Sequence, residues 1–341
     1  MTSDVFSGDA GDVTHPWRRV KRTVGEAAFS AIDAALLTGP RVDRLAGKQP
    51  RRRVLVASVY RPGSLLAEAL PQLASDRHDV KLALGAVKEA EPALADHTVA
   101  EGLGGGKFGN LNRVLEAVRA GAVAEASGAV GAASGSSAGA SESAAGAGET
   151  ANPSGSTADT SESTAGVRAS SAAGSTPAPL DFDWILAVDD DLVLPPRFLD
   201  RFVALCERFG LDLAQPAQTL RSHSAWRVTR RRPASLLRET RFVEIGPLTA
   251  FGRRAAAELL PFPELRFGWG LDLHWGALAG ERGWRLGVVD ATPVRHESAT
   301  VASTYPRVEA EAEAAEFLAS RPHLPASRAG EVVAVHRRVG R

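Results

Sequence analysis

Residues Ile185–Pro196 read ILAVDDDLVLPP, so that four apolar residues run directly into three consecutive carboxylates, Asp189, Asp190 and Asp191. A short, continuous apolar run ending at a turn is the pattern of a strand buried on both faces. In an open α/β sheet, the carboxyl ends of such strands form the crevice in which ligands bind. Carboxylates at i and i+2 around a turn can reach one divalent cation, and oxygen ligands suit Mg2+ or Mn2+. Three adjacent negative charges repel one another, and a bound cation relieves that cost. A second reading competes with the first. Aspartates ahead of a helix cap its free N–H groups and suit its dipole, and Pro195 and Pro196 fit a helix start. The triplet alone does not choose between them.

Working outward, VLVASVY (Val54 to Tyr60) reads as a strand closed by the turn signal Arg61-Pro62-Gly63. Helical spacing over Leu65 to Leu73 and a second buried run, Val80 to Val87, complete a strand–helix–strand unit. Gly104 to Ala120 is a glycine-rich turn opening into a helix. Beyond the triplet come a helix over Pro196 to Phe209, strands at Leu211–Ala217 and Phe242–Phe251, and a helix from Arg253. The aromatic-glycine stretch Arg266–Leu278, a strand at Arg285–Ala291 and an acidic-alanine helix from Glu309 follow. The expected class is therefore α/β, a mixed Rossmann-like sheet flanked by helices.

Between residues 121 and 179 the composition falls to Ala, Gly, Ser, Thr and Glu. Such a stretch cannot bury enough surface to offset its ordering entropy, so it is expected to be a disordered insertion within one domain. The remaining organisation is read as an extension over 1–50, a catalytic domain over 51–120 and 180–320, and a tail over 321–341. Lys+Arg and Asp+Glu both number 40, so no net charge draws the chain to nucleic acid. The single cysteine, Cys206, excludes an internal disulfide and is expected to be a core residue. Within the extension, Trp17, Val20, Val24, Ala28 and Ile32 recur at helical spacing beside Arg18, Arg19, Lys21 and Arg22. That helix, over residues 17–37, either packs on the domain or touches a membrane surface. The expected location is cytoplasmic, with a peripheral site at the inner membrane face left open.

The blocks around the triplet resemble, in their order, a nucleotide-sugar glycosyltransferase of the GT-A fold, of the family-2 type. VLVASVYR resembles its first strand, GGKFGNLNRVLEAV the helix before its DxD strand, and DWILAVDDDLVLPPRFLDRFV that strand with the following helix. FVEIGPLTAF, FGWGLDLHW and GVVDATPVRH resemble the acceptor-side half, so the likeness runs from Arg51 to about Arg307 without the insertion. The resemblance implies that Asp191 and His296 bind a metal, Mn2+ or Mg2+, with Asp189 contacting the metal or the ribose. Asp190 is then the middle position expected to matter least. Tyr60, Arg61, Lys107, Asn110, Asn112 and Glu244 would face the donor, although a buried ion pair between Glu244 and Arg241 is the structural alternative. Trp269 and Gly270 would meet the acceptor. Asp272 would be the base of an inverting displacement, with His274 able to share the proton.

The donor implied is a nucleoside-diphosphate sugar, and the acceptor a glycan, a lipid-linked molecule or a small molecule. Two other readings remain. The triplet also resembles the nucleophile loop of a haloacid-dehalogenase-like phosphatase with Asp189 as nucleophile, but no lysine follows Lys107 to hold a phosphoryl group. A catalytically inactive carbohydrate-binding protein of the same fold is the other. The cluster Arg227, Arg230, Arg231 and Arg232 lacks the interleaved aromatics of a nucleic-acid surface. It is read as a solvated loop, or as a loop near a diphosphate or an anionic acceptor.

Overall fold

The structure, a computed structural model, describes residues 16–121, 180–297 and 305–339. All of these belong to one compact unit; a second unit, Ala129–Ala178, lies outside them, as does the expected insertion apart from Gly121. In chain order the strands are β1 (Arg53–Tyr60), β2 (Asp79–Ala86), β3 (Thr98–Ala100), β4 (Trp184–Val188) and β5 (Leu192–Val193). They continue with β6 (Leu213–Gln218), β7 (Leu237–Thr240), β8 (Leu248–Gly252), β9 (Leu286–His296) and β10 (Val332–His336). The helices are α1 (Pro16–Ala35), α2 (Thr38–Ala46), α3 (Leu66–Leu73), α4 (Lys107–Arg119), α5 (Phe198–Arg208), α6 (Arg253–Leu259), α7 (Leu271–Arg282) and α8 (Arg307–Ala319).

The strands form a mixed sheet in the order β10-β7-β9-β6-β8-β4-β1-β2-β3, with β5 pairing the end of β9. β1 runs parallel to β2 and β4, whereas β8 lies antiparallel between β4 and β6. Side chains of the central strands alternate between two cores, as the two-residue period of a pleated strand requires. Val54, Val56, Leu186 and Val188 pack with α2, α3 and α5, while Leu55, Ala57, Ile185 and Ala187 pack with α4, α6 and α7. Helices therefore cover both faces of β4, which explains its unbroken apolar run. Cys206 is fully buried on α5, as its apolar surroundings predict.

Two parts of the sheet lie outside the expected strands. β10 falls in what reads as a tail and pairs with β7, so the chain beyond residue 320 supplies an edge of the sheet. β7 itself sits in a short polar run, Leu-Arg-Glu-Thr, that carries little strand signal. Folded structure also begins before Arg51, because α1 and α2 pack on the body.

The α1 helix is turned inside out. Its polar stripe, with Glu26, Ser30 and Asp33, meets the Arg-rich loop. Arg231 pairs with Glu26, donates to Ser30 Oγ at 3.1 Å and pairs with Asp33 at 2.5 Å. Glu26 also accepts the Leu220 N–H at 2.8 Å, and Asp33 accepts the Ala234 N–H at 3.0 Å. The opposite stripe is apolar and faces outward, with Trp17 78% exposed, Val20 54% and Val24 64%. The Arg-rich loop is thus largely an internal fastening: Arg231 clamps α1, and Arg230 donates to Ser224 Oγ at 2.7 Å. Among the described residues, no helix is long and apolar enough to cross a membrane.

Arg231→Ala leaves Asp33 buried without its counter-charge, a loss of about 3 kcal/mol. Amide exchange across α1 should then accelerate on the order of a hundredfold, and exchange at the wild-type rate would show that the clamp is not what holds the helix.

Candidate active site

The carboxyl ends of β1, β2 and β4 open into a cavity of about 560 Å3. Its walls come from the β4 end (Val188 to Asp191), the start of α4 (Lys107, Phe108) and the loop before β8 (Glu244 to Pro247). The loop into α7 (Arg266 to Trp269), Asp272 and His296 close it.

Each aspartate of the triplet has a different partner. The Asp189 N–H donates to the Pro247 carbonyl at 2.8 Å, and its carboxylate pairs with Lys107 Nζ at 2.5 Å. Asp190 turns inward and is buried. It accepts the Arg61 N–H at 2.9 Å, faces the Arg61 guanidinium at 3.5 Å and takes the Leu65 N–H on its carbonyl at 2.9 Å. Burial pushes the Asp190 carboxyl upward, against the pull of Arg61. The middle aspartate therefore ties the loop after β1 to the end of β4, a task the sequence reading did not give it.

Asp191 meets His296 because β5 pairs with the end of β9, Leu192 opposite His296. His296 Nε2 lies 3.1 Å from Asp191 Oδ1, and the Glu297 N–H donates to the Asp191 carbonyl at 3.1 Å. Burial disfavours the imidazolium, but the hydrogen bond to Asp191 and the nearby carboxylates carry the His296 pKa above its usual value. One ligand atom each from Asp189, Asp191 and His296 lies within 4.8 Å of the others. Two carboxylates and an imidazole suit a borderline divalent cation such as Mn2+. Lys107 already neutralises Asp189, so the donors that fit a cation most directly are Asp191 and His296. The capping alternative does not hold, because Arg197 is the N-cap of α5 and no side chain caps that helix.

The far wall is built on α7. At Gly268, with φ of 75°, a Cβ would overlap the Phe108 ring, so only glycine lets this loop close on α4. The carboxylate of Glu313 on α8 accepts the N–H groups of Arg266, Phe267 and Gly268 at 2.6, 2.9 and 3.0 Å. Trp269 Nε1 donates to the Tyr305 hydroxyl at 2.9 Å. Asp272, in the first turn of α7, is only 3% exposed, and burial pushes its pKa to about 7 despite the Leu273 N–H that it accepts at 2.9 Å. Glu244 accepts Gln218 Nε2 at 2.9 Å, and burial followed by the charge of Asp272 pushes its pKa to about 8.

Arg61, Lys107, Asn110, Asp189, Asp191, Glu244, Trp269, Asp272 and His296 all line the one cavity. The buried amide oxygen of Asn110 has no partner among the described residues. Other candidates lie elsewhere. The Tyr60 hydroxyl bonds Thr98 at 2.9 Å, and Asn112 brackets Phe262 through two hydrogen bonds of 2.8 Å, so both brace loops behind the wall. Gly270, with φ of 91°, is the N-cap of α7. His274 bonds the Pro322 carbonyl at 2.7 Å, away from the cavity, and cannot share a proton with Asp272 there. Arg241 pairs with Glu331 rather than Glu244. Trp275 is core, packed on Phe251. Tyr305, His223 and Glu313 carried no sequence signal, since only tertiary contact gives them their places.

No family model matches the chain, and no curated protein matches it. Among solved structures, a mannosyltransferase from Pyrobaculum calidifontis in complex with GDP-mannose and Mn2+ is 16% identical, with a TM-score of 0.43, over 89% of this chain and 79% of that one.

Asp272 and Glu244 bind protons more tightly folded than unfolded. The stability each lends is complete below the unfolded carboxyl range of about 4. It is lost as pH rises through about 7 for Asp272 and about 8 for Glu244. Asp272→Asn should therefore stabilise the metal-free protein at pH 8 by on the order of 2–4 kcal/mol and leave it nearly unchanged at pH 4. Denaturant unfolding at the two pH values measures the difference; equal effects at both would contradict the buried-carboxylate reading.

Proposed function

We propose that the chain is a metal-dependent glycosyltransferase of the GT-A type, moving a sugar from a nucleoside-diphosphate donor to an acceptor hydroxyl. The observation that carries this reading is one cavity holding two unlike acidic sites. On one side Asp189, Asp191 and His296 bring possible ligand atoms within 4.8 Å of one another, and on the other burial pushes the Asp272 pKa to about 7. A divalent cation held by Asp191 and His296 supplies the positive charge that a departing diphosphate needs.

The chain's own residues account for the remaining steps. Asp272 takes the proton of the acceptor hydroxyl, its pKa of about 7 making it a usable base at neutral pH. The freed oxygen bonds to the anomeric carbon as the bond from that carbon to the diphosphate breaks, with inversion. Glu244, with a pKa of about 8, is protonated at neutral pH and can donate a hydrogen bond to the donor sugar. Trp269 offers an aromatic face to a sugar ring, and its indole is fixed by Tyr305. Arg61 and Lys107 line the same cavity and bring positive charge that suits a diphosphate. A phosphatase working through Asp189 would leave the buried acids of the far wall without a task. A carbohydrate-binding protein would need neither acid nor cation ligands. The outward apolar stripe of α1, bordered by Arg18 and Lys21, supports peripheral contact with an anionic membrane face.

Calorimetric titration with nucleoside diphosphates, with and without Mn2+, tests the reading. Binding should be at least tenfold tighter with Mn2+, and Asp191→Ala should abolish that gain; nucleotide binding indifferent to both would refute it. The sugar-transfer rate should rise as pH rises through about 7, as Asp272 ionises, and that limb should vanish in Asp272→Asn along with transfer.

A further inference from the structure

Beside the main cavity lies a second one, of about 200 Å3. Its lining is almost wholly cationic: Arg19 and Arg22 from α1, Arg221 from the loop after β6, and Arg295 from the end of β9. His223 and His296 line both cavities, so the two are neighbours across these side chains. Arg295 pairs with Glu297, which also lines the wall. Among the described residues no carboxylate pairs with Arg19, Arg22 or Arg221. Arg22 and Arg221 are nonetheless half-buried.

The cluster is also held in place. Ser222 donates to the Val294 carbonyl at 3.3 Å and accepts the His296 N–H at 3.1 Å, which locks the Arg221 loop to the Arg295 strand. Glu26 accepts the Leu220 N–H, and Arg231 grips Glu26, which fixes α1, and so Arg19 and Arg22, against the same loop. Gathering four guanidinium groups from three segments around a single carboxylate, Glu297, costs repulsion and desolvation. A bound oxyanion offsets that cost, because guanidinium forks match phosphate oxygens.

We propose that this cavity binds a phosphoryl group carried by the acceptor, so that the substrate accepting the sugar is a phosphate ester. The inference rests on the transferase reading for the word acceptor, but the anion site stands on its own geometry. The shared wall of His223 and His296 sets a phosphate there next to the main cavity, where the acceptor hydroxyl would meet Asp272. The phosphate can come from a soluble ester or from a lipid head group, and the exposed Trp17, Val20 and Val24 on the helix that supplies Arg19 and Arg22 make the lipid source worth a separate arm.

The test uses the full chain in EDTA, so that no cation-assisted nucleotide site contributes. Inorganic phosphate binding, followed by 31P NMR titration, should weaken at least tenfold in Arg22→Gln/Arg221→Gln and severalfold in the exposed Arg19→Gln, which guards against misfolding of the double variant. Asp191→Asn should leave it intact, which separates failure of this site from failure of the transferase reading. Glycerol phosphate, and phosphatidylcholine vesicles with and without 10% phosphatidic acid, then distinguish the sources. Binding of the soluble ester alone assigns a soluble phosphate, and arginine-dependent capture of the acidic vesicles assigns a lipid one. Phosphate that fails to bind wild-type protein, or that binds all variants equally, overturns the proposal.

Discussion

Three consecutive carboxylates at the mouth of a strand buried on both faces repel one another, and each is answered by its own partner. Lys107 on α4 answers Asp189, Arg61 after β1 answers Asp190, and His296 at the end of β9 answers Asp191. These partners come from widely separated stretches of sequence, so satisfying the triplet draws β1, α4 and β9 to one point. The cavity forms at that convergence. Its two kinds of acid follow from position. Each carboxylate of the triplet has a basic partner, whereas Asp272 and Glu244 are buried, which raises their pKa values towards neutrality.

The same economy shows in α1. A helix normally turns its apolar stripe to the core and its charges to water. Here Arg231 reverses that choice by drawing Glu26 and Asp33 inward, and Trp17, Val20 and Val24 are left facing out. The reversal has two effects. It presents an apolar surface on the outside of the molecule, and it brings Arg19 and Arg22 into one cavity wall with His296. An amphipathic helix expected either to pack on the domain or to touch a membrane surface packs on the domain, and does so through its polar stripe.

The sheet centre and most residues of the main cavity are legible in the sequence, because local pattern encodes them. The apolar runs of β1, β2 and β4, the glycine turn into α4 and the Asp triplet each carry their meaning within a few residues. Asp189, Asp191, Asp272 and His296, each singled out in the sequence, line one cavity. Illegible were features that exist only through distant contact. Tyr60 and Asn112 sit in suggestive positions yet spend their polar groups on Thr98 and Phe262. Asp190 looked dispensable because nothing nearby in sequence reveals Arg61 as its partner. Glu313 reads as one more acid in an alanine-rich helix until three backbone N–H groups are seen on its carboxylate. The β7–β10 edge pairs two short strands nearly a hundred residues apart, which no local period can announce.

The proposed transfer depends on Asp191 and His296 together holding one divalent cation. Pulsed electron paramagnetic resonance of Mn2+ added to the full chain tests it directly. The expected result is 14N coupling from a single imidazole that disappears in His296→Gln and survives in His223→Gln. Manganese surrounded by water alone, or a nitrogen coupling indifferent to His296, would contradict it.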